Sequence, residues 1–241
     1  MSAPSITVVE DPDALAERAA DHFIELVGAA IAARGSAAVA LAGGSTPRAM
    51  NAKLAARPRR DRLDWTRVRF FFGDERCVPP DHPDSNYRMT RETLFAPLGI
   101  ADAQIARIHG EDEPHAAAAA YNATLEAALG APPIFDVVYL GMGPDGHTAS
   151  LFPGTIAAID QSRYAVANYV PKFATYRITL TPRVLNAARH VTITAGGAEK
   201  ADSLAAVLKG PREPDRYPAQ LIAPVDGEVD WFVDAAAASR L

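Results

Sequence analysis

The chain has 241 residues, 49% of them apolar and 22% charged, with a formal net charge of −5. That length and composition fit a globular chain with ample core, and the expectation is one α/β domain over residues 1–241. The acidic balance excludes a general nucleic-acid surface, which needs a basic face, and admits an anionic small substrate only where cations are gathered locally.

SITVVE (5–10) reads as a strand, and residues 12–34 as a helix with Leu15, Ala19, Phe23, Leu26 and Ala30 on one stripe. SAAVALA (36–42) reads as a buried strand bounded by Gly35 and Gly43. TPRAMNAKLAA (46–56) reads as a helix with Pro47 at its first position, where a missing N–H costs nothing. RVRFFFG (67–73) is another strand, followed by a long polar loop, DERCVPPDHPDS, and a helix beginning near Ser85 or Asn86. Gln104–His109 is a short strand candidate, and 112–129 an alanine-rich helix. IFDVVYLG (134–141) is a continuous apolar run, the pattern of a central parallel strand covered on both faces. SRYAVANYV and YRITLT read as strands, PRVLNAA as a short helix and HVTITAG as a strand. AEKADSLAAVLKG reads as a helix closed by Gly210, and EVDWFVD (228–234) as the last strand. Strands alternating with helices predict a doubly wound, largely parallel α/β sheet with helices on both faces. Between Asn168 and Ala195 the helix is short, so a different pairing is allowed there.

In such sheets ligands bind beyond the carboxyl ends of the strands. Three loops follow strands directly, AGGSTP, FGDER and LGMGPDGHT, and are expected to share one site. The last holds a literal G-x-G-x-x-G: Gly141, Gly143 and Gly146. A dinucleotide cradle would open a helix and place an acidic residue about 20 positions later. Here Pro144, Asp145 and His147 crowd the loop, Asp145 repels a pyrophosphate, and Asp160 comes too early. No nucleotide is expected. Asp145 and His147 suit chemistry instead, because a carboxylate on one ring nitrogen fixes the tautomer and leaves the other nitrogen as a base. The competing reading is a capping aspartate beside a packed histidine.

In AGGSTP, Gly43 and Gly44 permit close backbone approach, Ser45 and Thr46 offer hydroxyls, and the helix start offers free N–H groups and a positive dipole end. This is a phosphate cradle without the lysine of a Walker A loop. An ordinary turn with Ser45 or Thr46 as N-cap competes with it. In FGDER, Arg76 suits an anion and Asp74 a hydroxyl or a proton; a solvated charge cluster is the alternative. His82, His109, His115 and His190 show no metal-ligand spacing, so no metal is expected. Cys77 is the lone cysteine, which excludes an internal disulfide and fits a cytoplasmic chain; without an evident base partner it is not expected to be a nucleophile. The N-terminal residues lack a leader pattern, and no apolar stretch reaches the length of a membrane span.

Taken in order, LAGGSTP, FFGDERCVPPDHPDSNYRM, LGMGPDGHTASLFPG, YRITLT followed by VLNAARHVTIT, and GGAEKA span residues 41–201, and with them the chain resembles the 6-phosphogluconolactonase family. The resemblance implies a Rossmann-like three-layer α/β/α fold, shared with glucosamine-6-phosphate deaminase and ribose-5-phosphate isomerase, and no cofactor. It implies hydrolysis of 6-phospho-D-glucono-1,5-lactone to 6-phosphogluconate in the pentose phosphate pathway. It also implies phosphate contacts from Gly44, Ser45, Thr46, Arg177 and Lys200, with Gly43 in the same loop. The related deaminases carry a glutamate where this chain has Phe152, which favours lactone hydrolysis over amine chemistry. In that reaction His147, steadied by Asp145, would take a proton from water, while Asp74 and Arg76 position hydroxyls or stabilise the carbonyl oxygen. The expected partner is a small sugar phosphate, with no nucleic acid and no membrane, and the expected state a monomer or weak homodimer. A sugar-phosphate sensor on the same fold would need a DNA-binding segment, and no helix-turn-helix precedes residue 5.

Overall fold

The computed structural model describes residues 4–241. In chain order the strands are β1 (Ser5–Val9), β2 (Ala37–Leu41), β3 (Val68–Phe72), β4 (Asp74–Arg76), β5 (Val137–Gly141), β6 (Ala165–Val170), β7 (Thr175–Leu180), β8 (His190–Ala195) and β9 (Glu228–Asp234). Six of them form a sheet in the order β1-β9-β8-β5-β2-β3, every neighbouring pair parallel. The other three form an antiparallel sheet, β4-β7-β6. The helices flanking the large sheet are α1 (Pro12–Arg34), α2 (Ser45–Ala55), α3 (Asn86–Thr90), α4 (Ala96–Leu98), α5 (Pro114–Leu129), α6 (Pro182–Leu185) and α7 (Ala201–Lys209). None among the described residues is long and apolar enough to cross a membrane.

Local chemistry explains the main elements. The α1 helix starts where the Asp11 carboxylate accepts from the Ala14 N–H at 2.9 Å and ends at Gly35, whose φ of 81° closes the last turn. Its buried stripe includes Leu15, Ala19, Phe23 and Ala30, while Leu26 is only partly covered. Phe23 packs 5.6 Å from the Tyr139 ring of β5 and 6.1 Å from Trp65. Strand β2 is buried along its whole length, as is β5 up to Leu140, because sheet neighbours and helices cover both faces.

Four expectations need correction. Residues 74–76 are not loop: Gly73 donates its N–H to Leu41 O (2.8 Å) in the large sheet and accepts from Leu180 N (2.8 Å) at the small one, so the chain passes from β3 straight into β4. Gln104–His109 is not a strand. It makes one isolated bridge, Ile105 to Phe70, and the Gln104 side chain is spent on the Trp65 and Val68 carbonyls. The second helix begins at Ser45 with Gly44 as its N-cap, so Pro47 is its third residue. Before α7, Ala198–Lys200 form a separate 3₁₀ turn. The region with the short helix does pair differently, as the antiparallel β6–β7 hairpin.

Strand order positions the site. From β2 the chain runs outward to β3, then returns to place β5 on the other side of β2. The crevice between the β2 and β5 loops is therefore the point at which the winding reverses, where α/β sheets bind ligands.

Candidate active site

The carboxyl ends of β3, β2, β5 and β8, four adjacent parallel strands, carry the loops that line a cavity of about 320 Å³. Gly43, Gly44, Ser45 and Thr46 come from the loop after β2, Asp74 and Arg76 from β4, and His147 from the loop after β5. Arg177 comes from β7, and Glu199 and Lys200 from the turn after β8. Every sequence-nominated residue lines this cavity except Asp145, which reaches it through His147. The β8 end was a fourth strand-end loop that the loop count from sequence left out; the GGAEKA motif alone pointed to it.

His147 is held from two sides. Its Nδ1 bonds Asp145 Oδ1, and the other carboxylate oxygen accepts from Lys172 Nζ at 2.9 Å. Its ring stacks on Phe152 with centroids 4.0 Å apart and planes 23° apart. Nε2 has no hydrogen-bond partner among the described residues, so the pair leaves one ring nitrogen for a ligand. Gly143 makes this possible, since a β-carbon there would stand 2.1 Å from His147 Cε1 and 2.2 Å from Nδ1. Gly146 instead turns the loop at φ 73° beneath Tyr217, and Gly141 approaches nothing, so the three glycines do not act as one cradle. Burial works to raise the Asp145 carboxyl, but the hydrogen bonds from His147 and Lys172 prevail and hold it well below the usual carboxylate range.

The D-E-R segment is not a solvated cluster. Asp74 is buried, accepting from Ser150 Oγ at 2.6 Å and from Asn86 Nδ2 at 3.2 Å. Glu75 is buried at the start of α3, where it accepts from the Asn86 and Tyr87 N–H groups (2.8 Å each) and from Ser85 Oγ (3.0 Å). Burial pushes its carboxyl above the usual range against the pull of those donors. Glu75 thus places Asn86, and Asn86 holds Asp74 against the first loop. Gly43 leaves room for this, since a β-carbon there would stand 1.8 Å from Asn86 Oδ1. The roles of Glu75, Asn86, Ser150, Phe152 and Lys172 were missed in the sequence; side-chain register across β4–β7 and α3 is tertiary information.

Cations converge on the same cavity. Arg76 and Arg177 stand in register on β4 and β7, and the Nε of each is buried without a partner among the described residues. Burial lowers the proton affinity of Arg177 against the pull of Asp74, and does the same to Lys200 against Glu199 and Asp234. An anion would relieve both. Neither Ser45 nor Thr46 caps α2, and no side chain does, so the first-turn N–H groups remain free at the cavity. Burial pushes the Cys77 thiol up to about 11, unsuited to a nucleophile. Among the described residues no group of three or more His, Cys, Asp or Glu side chains is placed to hold a metal.

The cavity thus brings Arg76, Arg177, Lys200 and the uncapped start of α2 together with an oriented imidazole. The family profile "Glucosamine-6-phosphate isomerases/6-phosphogluconolactonase" matches residues 10–231. The 6-phosphogluconolactonase of Treponema pallidum is 43% identical over 176 residues, 72% of this chain and 73% of that one. The 6-phosphogluconolactonase of a Nostoc species is 38% identical over 245 residues, 98% of both chains. The solved structure of 6-phosphogluconolactonase from Trypanosoma cruzi superposes with a TM-score of 0.88 at 30% identity, covering 100% of this chain and 98% of that one. The chain belongs to the glucosamine-6-phosphate isomerase/6-phosphogluconolactonase family.

Proposed function

We propose that the protein hydrolyses 6-phospho-D-glucono-1,5-lactone to 6-phospho-D-gluconate, with His147 as general base. The observation that carries this reading is that one cavity joins a cation-rich cradle to an imidazole with a free Nε2. The Treponema and Nostoc relatives are named for this activity, which supports it.

The α2 N–H groups, the Ser45 and Thr46 hydroxyls, Arg177 and Lys200 hold the phosphate dianion, and Gly43 and Gly44 let it approach the backbone. Anchoring it turns the attack on the carbonyl into an oriented event. His147 Nε2 takes a proton from water as the water oxygen bonds to C1. Arg76 supplies donors for the oxygen that becomes negative, and Asp74 accepts a hydroxyl of the sugar. The bond between C1 and the ring oxygen then breaks, and the imidazolium returns its proton to that oxygen. Asp145 keeps Nδ1 protonated throughout. Phe152 occupies the position that a deaminase would give to a glutamate, and its ring lies against the imidazole, so no carboxylate stands there for amine chemistry.

The test is turnover of freshly prepared 6-phosphogluconolactone, corrected for spontaneous opening, beside unphosphorylated gluconolactone and glucosamine 6-phosphate. The reading requires fast opening of the phosphorylated lactone alone. Amine release from glucosamine 6-phosphate, or equal rates on both lactones, would overturn it.

A further inference from the structure

Beyond the reaction itself, the β6–β7 hairpin tip touches the catalytic pair in a way the chemistry above does not use. The turn Pro171–Phe173 closes with Ala174 in the left-handed region (φ 49°), which presents two successive side chains to the loop after β5. Lys172 Nζ donates to Asp145 Oδ2 at 2.9 Å. Phe173 meets Phe152 edge-on, with centroids 5.7 Å apart and planes at 82°, and Phe152 in turn stacks on His147. The Lys172 ammonium also lies 5.6 Å from the Phe173 ring centroid. Two separate routes, one ionic and one aromatic, therefore lead from this tip to the imidazole.

An Asp–His pair alone has a drawback for a general base. The carboxylate stabilises the imidazolium, and a protonated ring cannot accept a proton from water. A cation on the second carboxylate oxygen offsets this by drawing on the same negative charge. We propose that Lys172 is a positioning residue that divides the Asp145 carboxylate between itself and His147, and so keeps the imidazole unprotonated at the pH of turnover. The inference rests on His147 acting as the base.

Other charged groups line the same cavity: Asp74 and Arg76 from β4, Arg177 from β7, and Glu199 and Lys200 from the turn after β8. Arg177 also lies 5.9 Å from the Phe152 ring and 5.0 Å from that of Phe173. All are retained when Lys172 alone is changed, so the difference between variants isolates its charge. Lys172 is exposed, so its substitution leaves the core intact.

The experiment follows the His147 ring protons by NMR through a pH titration in wild type, Lys172→Met and Lys172→Arg, and records the acidic limb of kcat/KM for the lactone in the same proteins. In Lys172→Met the titration midpoint and the acidic limb both move to higher pH by about half a unit, the size expected of one half-exposed charge. Lys172→Arg restores the wild-type curves. In about 1 M salt the gap closes, because an exposed charge is screened. A Lys172→Met midpoint at or below the wild-type value overturns the proposal, as does a uniform loss of rate with no displacement of the limb. The NMR shift is independent of turnover: if it occurs in a protein that does not open the lactone, the assigned reaction fails and the electrostatic coupling stands.

Discussion

Replacing Gly143 by alanine tests the geometry of the site without removing any functional group. The added β-carbon would stand 2.1 Å from His147 Cε1 and 2.2 Å from Nδ1. Ordinary carbon–carbon contact is about 3.5 Å, so the imidazole must retreat by roughly 1.4 Å. Phe152, stacked 4.0 Å away, limits the directions open to it, and the same β-carbon would crowd Asp145 Oδ1 at 3.0 Å. A displacement of about 1 Å at a reacting group costs on the order of 10²-fold, so kcat should fall by at least about that factor. The cradle is built from other loops, and KM should change by less than about threefold. Initial rates on freshly made lactone would be measured with and without enzyme, beside thermal unfolding to establish that the variant is folded. A folded Gly143→Ala protein with kcat near the wild-type value would refute the placement of His147 over residue 143.

Four further outcomes are expected. His147→Ala should lower kcat by roughly 10²–10⁴, the usual contribution of a general base, and near-normal steady-state turnover would contradict the assignment. If Lys200 holds the phosphate as proposed, Lys200→Ala removes a charged hydrogen bond of about 1.5–3 kcal/mol, so KM for the lactone should rise about 10- to 100-fold with a smaller change in kcat. Unchanged KM would place the phosphate elsewhere. The Asp145 carboxyl is held below its ordinary value, so its contribution to stability is present above the unfolded-state value, near pH 4, and is lost as pH falls through the folded-state value. Melting curves of wild type and Asp145→Asn should accordingly differ most near neutrality and converge below about pH 4; a gap that widens in acid would reverse the argument. Glu75→Ala strips acceptors from buried donors at the start of α3 and should cost about 2–3 kcal/mol, a fall in Tm of about 4–12 °C. An unchanged Tm would mean that α3 does not depend on this carboxylate.

Much of the scaffold was legible from period and punctuation alone. Continuous apolar runs marked β2 and β5, and the apolar stripe over residues 12–34 marked α1. What failed was decided by partners distant in sequence. Residues 74–76 look like loop because D-E-R is polar, yet β7 pairs with them and Asn86 and Ser150 satisfy them. Gln104–His109 has strand composition but meets only the edge of β3. The start of helix α2 is a local exception: it comes one residue early because Gly44, rather than a hydroxyl side chain, caps it.

The loops that carry chemistry were readable because strand ends on a parallel sheet fall on one edge, whatever the details of the loops. Their supporting contacts were not. Phe152 drew notice only as a missing glutamate, whereas in the structure it is the surface on which the imidazole lies. Lys172 drew none, because nothing in the string P-K-F reveals that a hairpin folds it 2.9 Å from Asp145. The spacing of Gly141, Gly143 and Gly146 suggests a set, yet only Gly143 faces the histidine.

The most direct test of the central claim is a crystal structure with 6-phosphogluconate bound. The account predicts the phosphate at the start of α2, in contact with Ser45, Thr46, Arg177 and Lys200, and the C1 carboxylate within hydrogen-bond reach of His147 Nε2. A product bound with its phosphate beside His147, or with C1 directed away from the imidazole, would contradict it.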